Sequence, residues 1–318
     1  MEDFASAALV GLVQAGLRRR GIAPPDPLGA PRDGPRTPLP LKRALLDWTA
    51  REHGLGLVFM LGTEVRAAGF DPIVHMLLRA ETGEALVARW LRVEAYFHSR
   101  HRILCAPAGP HALTLTHVSR AGAPPAAAED MLVAGLITGL LDAQGCTGVA
   151  LSLVQPDGLL LDPRDPPSPP EPPVAAAGGR LAWGADPPAR AAAEPAPLDG
   201  GEDAPGALAR GALRLMADDP VRRWTLADLA DALGRSRRTL QRRLGEDGLS
   251  LTSLVAASRI RRACRDLTET GLPLTLVGLL AGYADAAHFT RDFKRRVGIT
   301  PSAYRESALA GRAGTDAA

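Results

Sequence analysis

Arg237, Arg238, Gln241 and Arg242 follow directly on Ser236. In a helix, at 100° per residue, Arg238 and Arg242 lie opposite Leu240 and Leu244, with Gln241 on the flank. An outer face of Arg, Arg and Gln has a definite chemistry. A guanidinium can bond guanine O6 and N7 together, and a carboxamide can do the same with adenine N6 and N7. The bland reading of a lone Arg-rich helix, a solvated cationic face, stands beside it.

The surrounding residues must position that face. Thr225 suits a helix N-cap, with Asp228 closing a short capping box and Trp224 and Leu229 at the staple positions. Leu226, Leu229, Ala230 and Leu233 form a buried face, Gly234 supplies the positive φ of a tight turn, and Ser236 caps the next helix. A second copy begins about fifty residues later. There Leu274 and Leu279 flank Thr275, and Leu276, Leu279 and Leu280 are expected to supply core. Gly282 turns the chain and Asp285 caps a helix with Phe289 and Phe293 inward and Ala287, Arg291 and Lys294 outward. Between the copies, 250–268 reads as one long helix that packs through Leu254, Ala257 and Ile260, with Arg261, Arg262 and Arg265 turned outward. Two such units on one connector can enter successive major-groove segments, ~34 Å apart on one face of B-DNA.

Charge follows the same division. From Val221 to Arg305 there are sixteen Lys/Arg and eight Asp/Glu, so the rest of a chain of net charge +2 carries −6. A basic segment beside an acidic remainder points to a polyanionic partner. Only Lys42 and Lys294 are lysines. Genomic bias accounts for arginine over lysine, but not for where the surplus sits.

At these residues the chain resembles a known family. Residues 207–305 are similar to the DNA-binding domain of AraC/XylS-type transcriptional regulators. The stretch Gly282-Tyr-Ala-Asp-Ala-Ala-His-Phe-Thr-Arg-Asp-Phe-Lys-Arg-Arg-Val-Gly-Ile-Thr-Pro-Ser-Ala-Tyr-Arg305 satisfies the family pattern throughout, and Ser236, Leu240, Arg242, Leu244 and Arg259 also fit. Gly278 departs from it, standing where relatives usually carry Ala, and is expected to loosen its helix slightly. Ala286 and Ala287 replace polar base-reading residues. The resemblance then implies thin readout by the second unit, through thymine methyl contacts, His288 and Arg291. The N-terminal half more weakly resembles the arabinose-binding-type sensor domain of one branch of the family, a label that identifies no ligand. It implies self-association through that half.

The first half reads as α+β. Helices are expected over 4–20, 41–53, 82–98 and 129–144, strands over 112–118 and 149–154, and a loop over 21–40. Thirteen prolines crowd 156–205, pointing to a linker or a shortened, partly disordered sensor, with Leu181 and Trp183 as a strand island. The apolar stretch Met131–Leu141 is about half the length of a membrane span. Three dispersed cysteines, Cys105, Cys146 and Cys264, form neither a disulfide framework nor a zinc knuckle. With no basic leader, a soluble, cytoplasmic protein with no membrane partner is expected. His98 and His101 are read as cations at a helix C-terminus in preference to metal ligands. His75, His111 and His117 are read as satisfied core or pocket residues, and Trp90, Tyr96 and Phe97 as core before effector pocket. The P-loop, G-x-S-x-G, HExxH and dinucleotide patterns are all missing.

The expected architecture is an α+β effector-binding or dimerisation domain over 1–205. An all-α domain over 206–305 follows, with tandem helix-turn-helix units at 225–244 and 275–296 joined by a long helix, then a disordered tail over 306–318. The expected function is sequence-specific transcriptional regulation on double-stranded DNA, without enzymatic activity, cofactor or metal. A small-molecule effector, a homodimer and RNA polymerase are further expected partners. DNA-contacting residues are Ser236, Arg237, Arg238, Gln241, Arg242, Thr275, Ala286, Ala287, His288, Arg291, Lys294 and Arg295. Of these, Lys294, Arg295 and the caps near Ser236 and Thr275 face phosphate, while Arg259 is an internal strut. The alternative is a small-molecule enzyme or ligand-binding module whose C-terminal helices bind a protein.

Overall fold

A computed structural model describes residues 3–29, 36–68, 71–98, 100–120, 122–154, 160–161, 178–187, 206–219 and 222–309. The chain divides into two compact units, one built mainly from 1–195 and the other from 196–294 and 300–305.

The first unit opens with β1 (Phe4–Ser6) and α1 (Ala7–Arg19). The expected helix start at residue 4 is corrected. Phe4 belongs to a strand paired antiparallel with β2 (Arg36–Pro38), and Ser6 caps α1 by accepting from Leu9 N–H. Helices α2 (Leu39–His53), α3 (Leu55–Thr63), α4 (Pro72–Leu78) and α5 (Gly83–Phe97) follow. The last two are capped by Asp71 and Thr82. Then come β3 (His101–Gly109), β4 (Ala112–Ser119), α6 (Ala127–Gln144), β5 (Ala150–Val154), β6 (Leu160–Leu161) and β7 (Gly178–Ala182). The five later strands form an antiparallel sheet ordered β3-β4-β7-β5-β6. The strand island is thus central to the sheet, with Leu181 paired to both Leu113 and Leu151. Most of 156–205, and with it the expectation of disorder there, lies outside the described residues.

The apolar stretch of α6 is core. A side chain at Gly135 would strike the Phe59 carbonyl and one at Gly62 the Leu132 carbonyl, so α3 and α6 pack backbone to backbone. Among the described residues, no helix is long and apolar enough to cross a membrane.

The second unit is helical: α7 (Ala207–Asp218), α8 (Leu226–Ala232), α9 (Arg237–Glu246), α10 (Leu251–Glu269), α11 (Leu274–Leu280), α12 (Ala286–Val297) and α13 (Pro301–Leu309). Its core joins Ala212 and Met216 of α7 to Leu229, Ala230, Leu240, Leu244 and Leu254. A ladder of rings, Tyr283–Phe289–Phe293–Tyr304, accompanies it, tilted at the first pair and edge-on at the other two, with centroids 5.2 to 5.6 Å apart. Helix α13 also corrects the expected tail: 306–309 are helical, and 310–318 lie outside the described residues.

Candidate nucleic-acid interface

Helix α8 starts as its sequence dictates. Thr225 Oγ1 accepts from Asp228 N–H, and Asp228 Oδ2 accepts from Thr225 N–H at 2.8 Å. The Thr225 hydroxyl and amide, with the Arg222 guanidinium 2.7 Å away, pull the Asp228 carboxyl down to about 2. Leu229 and Ala230 are buried. Gly234 then turns with φ 62°, and Arg235 N–H reaches back to Ala230 O.

Ser236 caps α9 by accepting from Thr239 N–H at 3.1 Å. With Leu240 and Leu244 buried, Arg237, Arg238, Gln241 and Arg242 are all exposed, as the periodicity requires. Arg242 is held by Glu246 one turn on, whereas among the described residues Arg237 and Arg238 face no acidic partner.

The second pair repeats the turn in the same register as the first, two residues off the register expected from Thr225 and Thr275. Gly282 has φ 86°, and Tyr283 N–H bonds Gly278 O at 3.0 Å, matching the turn at Gly234. Alignment on that turn sets Val277 and Gly278 against Leu229 and Ala230, and Pro273 against Thr225. Pro273 is the N-cap of α11, so Thr275 is an interior residue and not a cap. The expected core residues Leu276, Leu279 and Leu280 are exposed by 37%, 63% and 38%, and Val277 and Gly278 are buried in their place.

Gly278 is also better suited to its place than expected. A Cβ there would lie 2.9 Å from the Phe289 ring and 3.0 Å from its Cβ, so the ring occupies the space a methyl would need.

Asp285 caps α12 through His288 N–H at 2.7 Å. That bond holds its carboxyl below the ordinary range. Phe289 and Phe293 point inward, and Ala286, Ala287, His288, Arg291, Lys294 and Arg295 are exposed. His288 stands edge-on to Tyr283 at 5.3 Å, and Tyr283 Oη donates to Asp292 Oδ2. Arg259 lies over the Tyr283 ring at 5.6 Å and against Gly282.

A groove of about 700 Å³ lies within this unit, lined by Arg222, Arg223, Arg259, Arg262, Tyr283 and His288 among others. Arg222 and Arg223 escape a reading based on helix faces because they precede α8. Their only mark in the sequence is a dibasic pair ahead of Trp224. Arg222 is bridged to Asp228 and Arg262 to Asp266, each at 2.7 to 2.8 Å.

The first unit carries its polar groups inside. Lys42 Nζ meets Glu129 Oε1 at 2.8 Å, with both side chains almost wholly buried. His101 stands 3.6 Å from the same carboxylate and edge-on to His117, which bonds Asp130 at 2.7 Å. Burial pushes the His101 imidazole down to about 4, with Glu129 only partly offsetting it, and pushes His98 well below its ordinary value. Neither histidine is therefore a helix-end cation, which corrects the expectation. His98 follows the last turn of α5, while His101 opens β3, both buried.

Burial also raises the thiols of Cys105 and Cys146 to about 11 and about 12, against a redox-sensor role. Cys264 is wholly buried, and Trp90 is core. The side chains of Tyr96 and Phe97 lie outside the described residues. A cavity of about 40 Å³ beside His117 and Asp130 is far smaller than the several hundred Å³ of a ligand pocket.

Comparison with known proteins bears on the second unit. Residues 229–307 match the family described as "Helix-turn-helix domain". The HTH-type transcriptional regulator VirS of Mycobacterium tuberculosis is 36% identical over 86 residues, 27% of this chain and 25% of that protein. The urease operon transcriptional activator of Escherichia coli is 32% identical over 91 residues, 29% of this chain and 31% of its own. This chain thus covers about a quarter to a third of the length of these relatives. Among solved structures, a DNA-binding transcriptional dual regulator from Escherichia coli K-12 is similar over 32% of this chain and 92% of its own, at 25% identity and a TM-score of 0.31. Unsaturated fatty acid-bound ToxT from Vibrio cholerae is similar over 30% of this chain and 35% of its own, at 23% identity and a TM-score of 0.29.

Proposed function

We propose, from the premise that residues 229–307 form an AraC-type helix-turn-helix domain, that the chain is a sequence-specific DNA-binding transcriptional regulator. The observation that carries this is the outer face of α9. Arg237, Arg238, Gln241 and Arg242 stand exposed on a helix fixed by the Ser236 cap and anchored by Leu240 and Leu244. Such a face enters a major groove, where Arg reads guanine and Gln reads adenine.

The helix pair α11–α12 acts as a second unit with sparser readout. Ala286 and Ala287 offer methyl groups, and His288 and Arg291 are its polar readers. Lys294, Arg295 and the exposed cap at Ser236 serve phosphate, which positions the protein without specifying sequence. Thr275, inside α11, contributes no cap to such a contact. Arg222 and Arg223, on the lip of the cationic groove, join the phosphate-facing set, and Arg259 braces the Gly282 turn. The first unit serves as the effector-responsive or self-associating part, and effector binding acts on DNA affinity or polymerase contact through a coupling free energy.

The test is binding of the full chain to its own upstream DNA and to scrambled DNA across a salt series. Preference for the cognate site by ~10³ or more, with affinity falling steeply as salt rises, supports the reading. Equal, weak binding to both, with and without candidate effectors, refutes it.

A further inference from the structure

Glu84, His111 and Asp186 come from three separate parts of the first unit: the first turn of α5, the β3–β4 turn, and the segment after β7. Their ligand-type atoms all lie within 4.8 Å of one another. His111 Nδ1 stands 3.6 Å from Glu84 Oε1 and 3.6 Å from Asp186 Oδ2. That spacing exceeds the 2.7–3.2 Å of a hydrogen bond to nitrogen. Nδ1 is itself shielded from solvent and makes no hydrogen bond. A protonated imidazole flanked by two carboxylates would be expected to draw one of them into a charge-assisted bond of ~2.7–2.9 Å. A tetrahedral metal with bonds of ~2.0–2.2 Å instead holds neighbouring ligand atoms ~3.3–3.6 Å apart.

The ligands are oriented by their surroundings. Asp186 Oδ1 accepts from Gly83 N–H at 2.8 Å and from Trp183 Nε1 at 3.1 Å, which leaves Oδ2 to face His111. The Trp183 indole lies so close to Gly83 that a Cβ there would be 2.7 Å from the ring. Trp183 N–H also bonds His111 O at 3.0 Å, and the two rings meet at 5.8 Å. His111 adopts φ 49°, the one positive φ outside glycine among the described residues. Fixing a ligand through its second oxygen or nitrogen is how proteins organise metal centres.

We propose that Glu84, His111 and Asp186 bind one divalent transition-metal ion, of the Zn²⁺ class, with solvent at the remaining position. One imidazole and two carboxylates favour such an ion over Mg²⁺ or Ca²⁺, which take oxygen ligands. The dication balances two carboxylates and pins the start of α5 to the sheet. The site shares no residue with the DNA-reading faces.

The full chain, stripped of metal by chelation, is titrated with Zn²⁺ by calorimetry and with Co²⁺ by visible absorption. Glu84→Gln removes a ligand that is half exposed. His111→Asn removes the imidazole while tolerating positive φ. His53→Gln, on the exposed end of α2, is the control, and circular dichroism melts confirm that each variant folds. Asp186 is left intact because it also holds Gly83 and Trp183. The expected result is a wild-type site of unit stoichiometry, undisturbed by equimolar Mg²⁺ and by His53→Gln. Each ligand variant should weaken it tenfold or more, with the Co²⁺ bands lost in His111→Asn. Failure of the wild type to bind either ion, or wild-type affinity in a folded Glu84→Gln or His111→Asn chain, overturns the proposal.

Discussion

The two units place their charge in opposite ways. The first buries Lys42, Glu129, His98 and His101 between helices and sheet. The second keeps the cations of its reading faces at the surface around a core of leucines and edge-on or tilted rings. A buried ion is tied to its partner by the cost of leaving that partner alone. An exposed Arg is weakly tied and free to meet an outside anion. Substitution should therefore act on stability in the first unit and on affinity in the second.

The largest expected effect is at Lys42. Lys42→Met leaves the buried Glu129 carboxylate with the Arg43 guanidinium at 3.3 Å and the Ala126 N–H at 3.2 Å, and should remove ~3 kcal/mol of stability, the lower end for breaking a buried pair. Thermal unfolding of the full chain should show an early transition. An unchanged melt would mean that Glu129 is satisfied without the lysine, and the contrast between the units would fail.

His101 comes next. Its folded-state value of about 4 lies below the ordinary 6.5, so the fold disfavours its protonation. The stability it contributes is complete above pH ~6.5 and is lost as pH falls toward ~4. Wild type should thus lose stability relative to His101→Gln across that window, as followed by melts at stepped pH. A gap that stays constant with pH would show that the imidazole is not held neutral.

Arg242→Ala should cost ~1–3 kcal/mol on a cognate site and relax base preference there, while Lys294→Ala should weaken all sequences alike and flatten the salt dependence by about one ion. Competition binding on cognate and mutated sites separates the two. Uniform loss from Arg242→Ala would move that residue to the phosphate-facing group. The smallest effect belongs to Thr225→Ala, which removes the α8 cap and should cost ~1 kcal/mol in the second unit. Chemical denaturation measures it, and the acid-side contribution of Asp228, present above pH ~4 and lost toward pH ~2, should shrink with it.

Elements with a cap and a one-sided pattern are legible in the sequence. Helices α5, α6 and α9 lie within one or two residues of expectation, as do β4 and β5. Helix α3 is missed because Leu55–Thr63 is apolar on every side, packed against α6, and so has no amphipathic period. Strand β3 is missed because its nine residues do not alternate. In α11 the leucines mislead. Thr275 resembles a cap, but Pro273, with its φ of −54°, starts the helix two residues earlier and rotates Leu276 and Leu279 outward. The outer face of α9 is readable because its residues are neighbours in the chain. Glu84, His111 and Asp186 are not, and only the fold brings them together.

The close fit of Phe289 to Gly278 constrains how this domain can drift. Alanine at 278 would set its methyl 2.9 Å from the ring and 3.0 Å from the Phe289 β-carbon, so the ring must give way to admit it. Residue size at 278 and the seat of the ring at 289 are therefore coupled, and the first rung of the aromatic ladder moves whenever the glycine acquires a side chain.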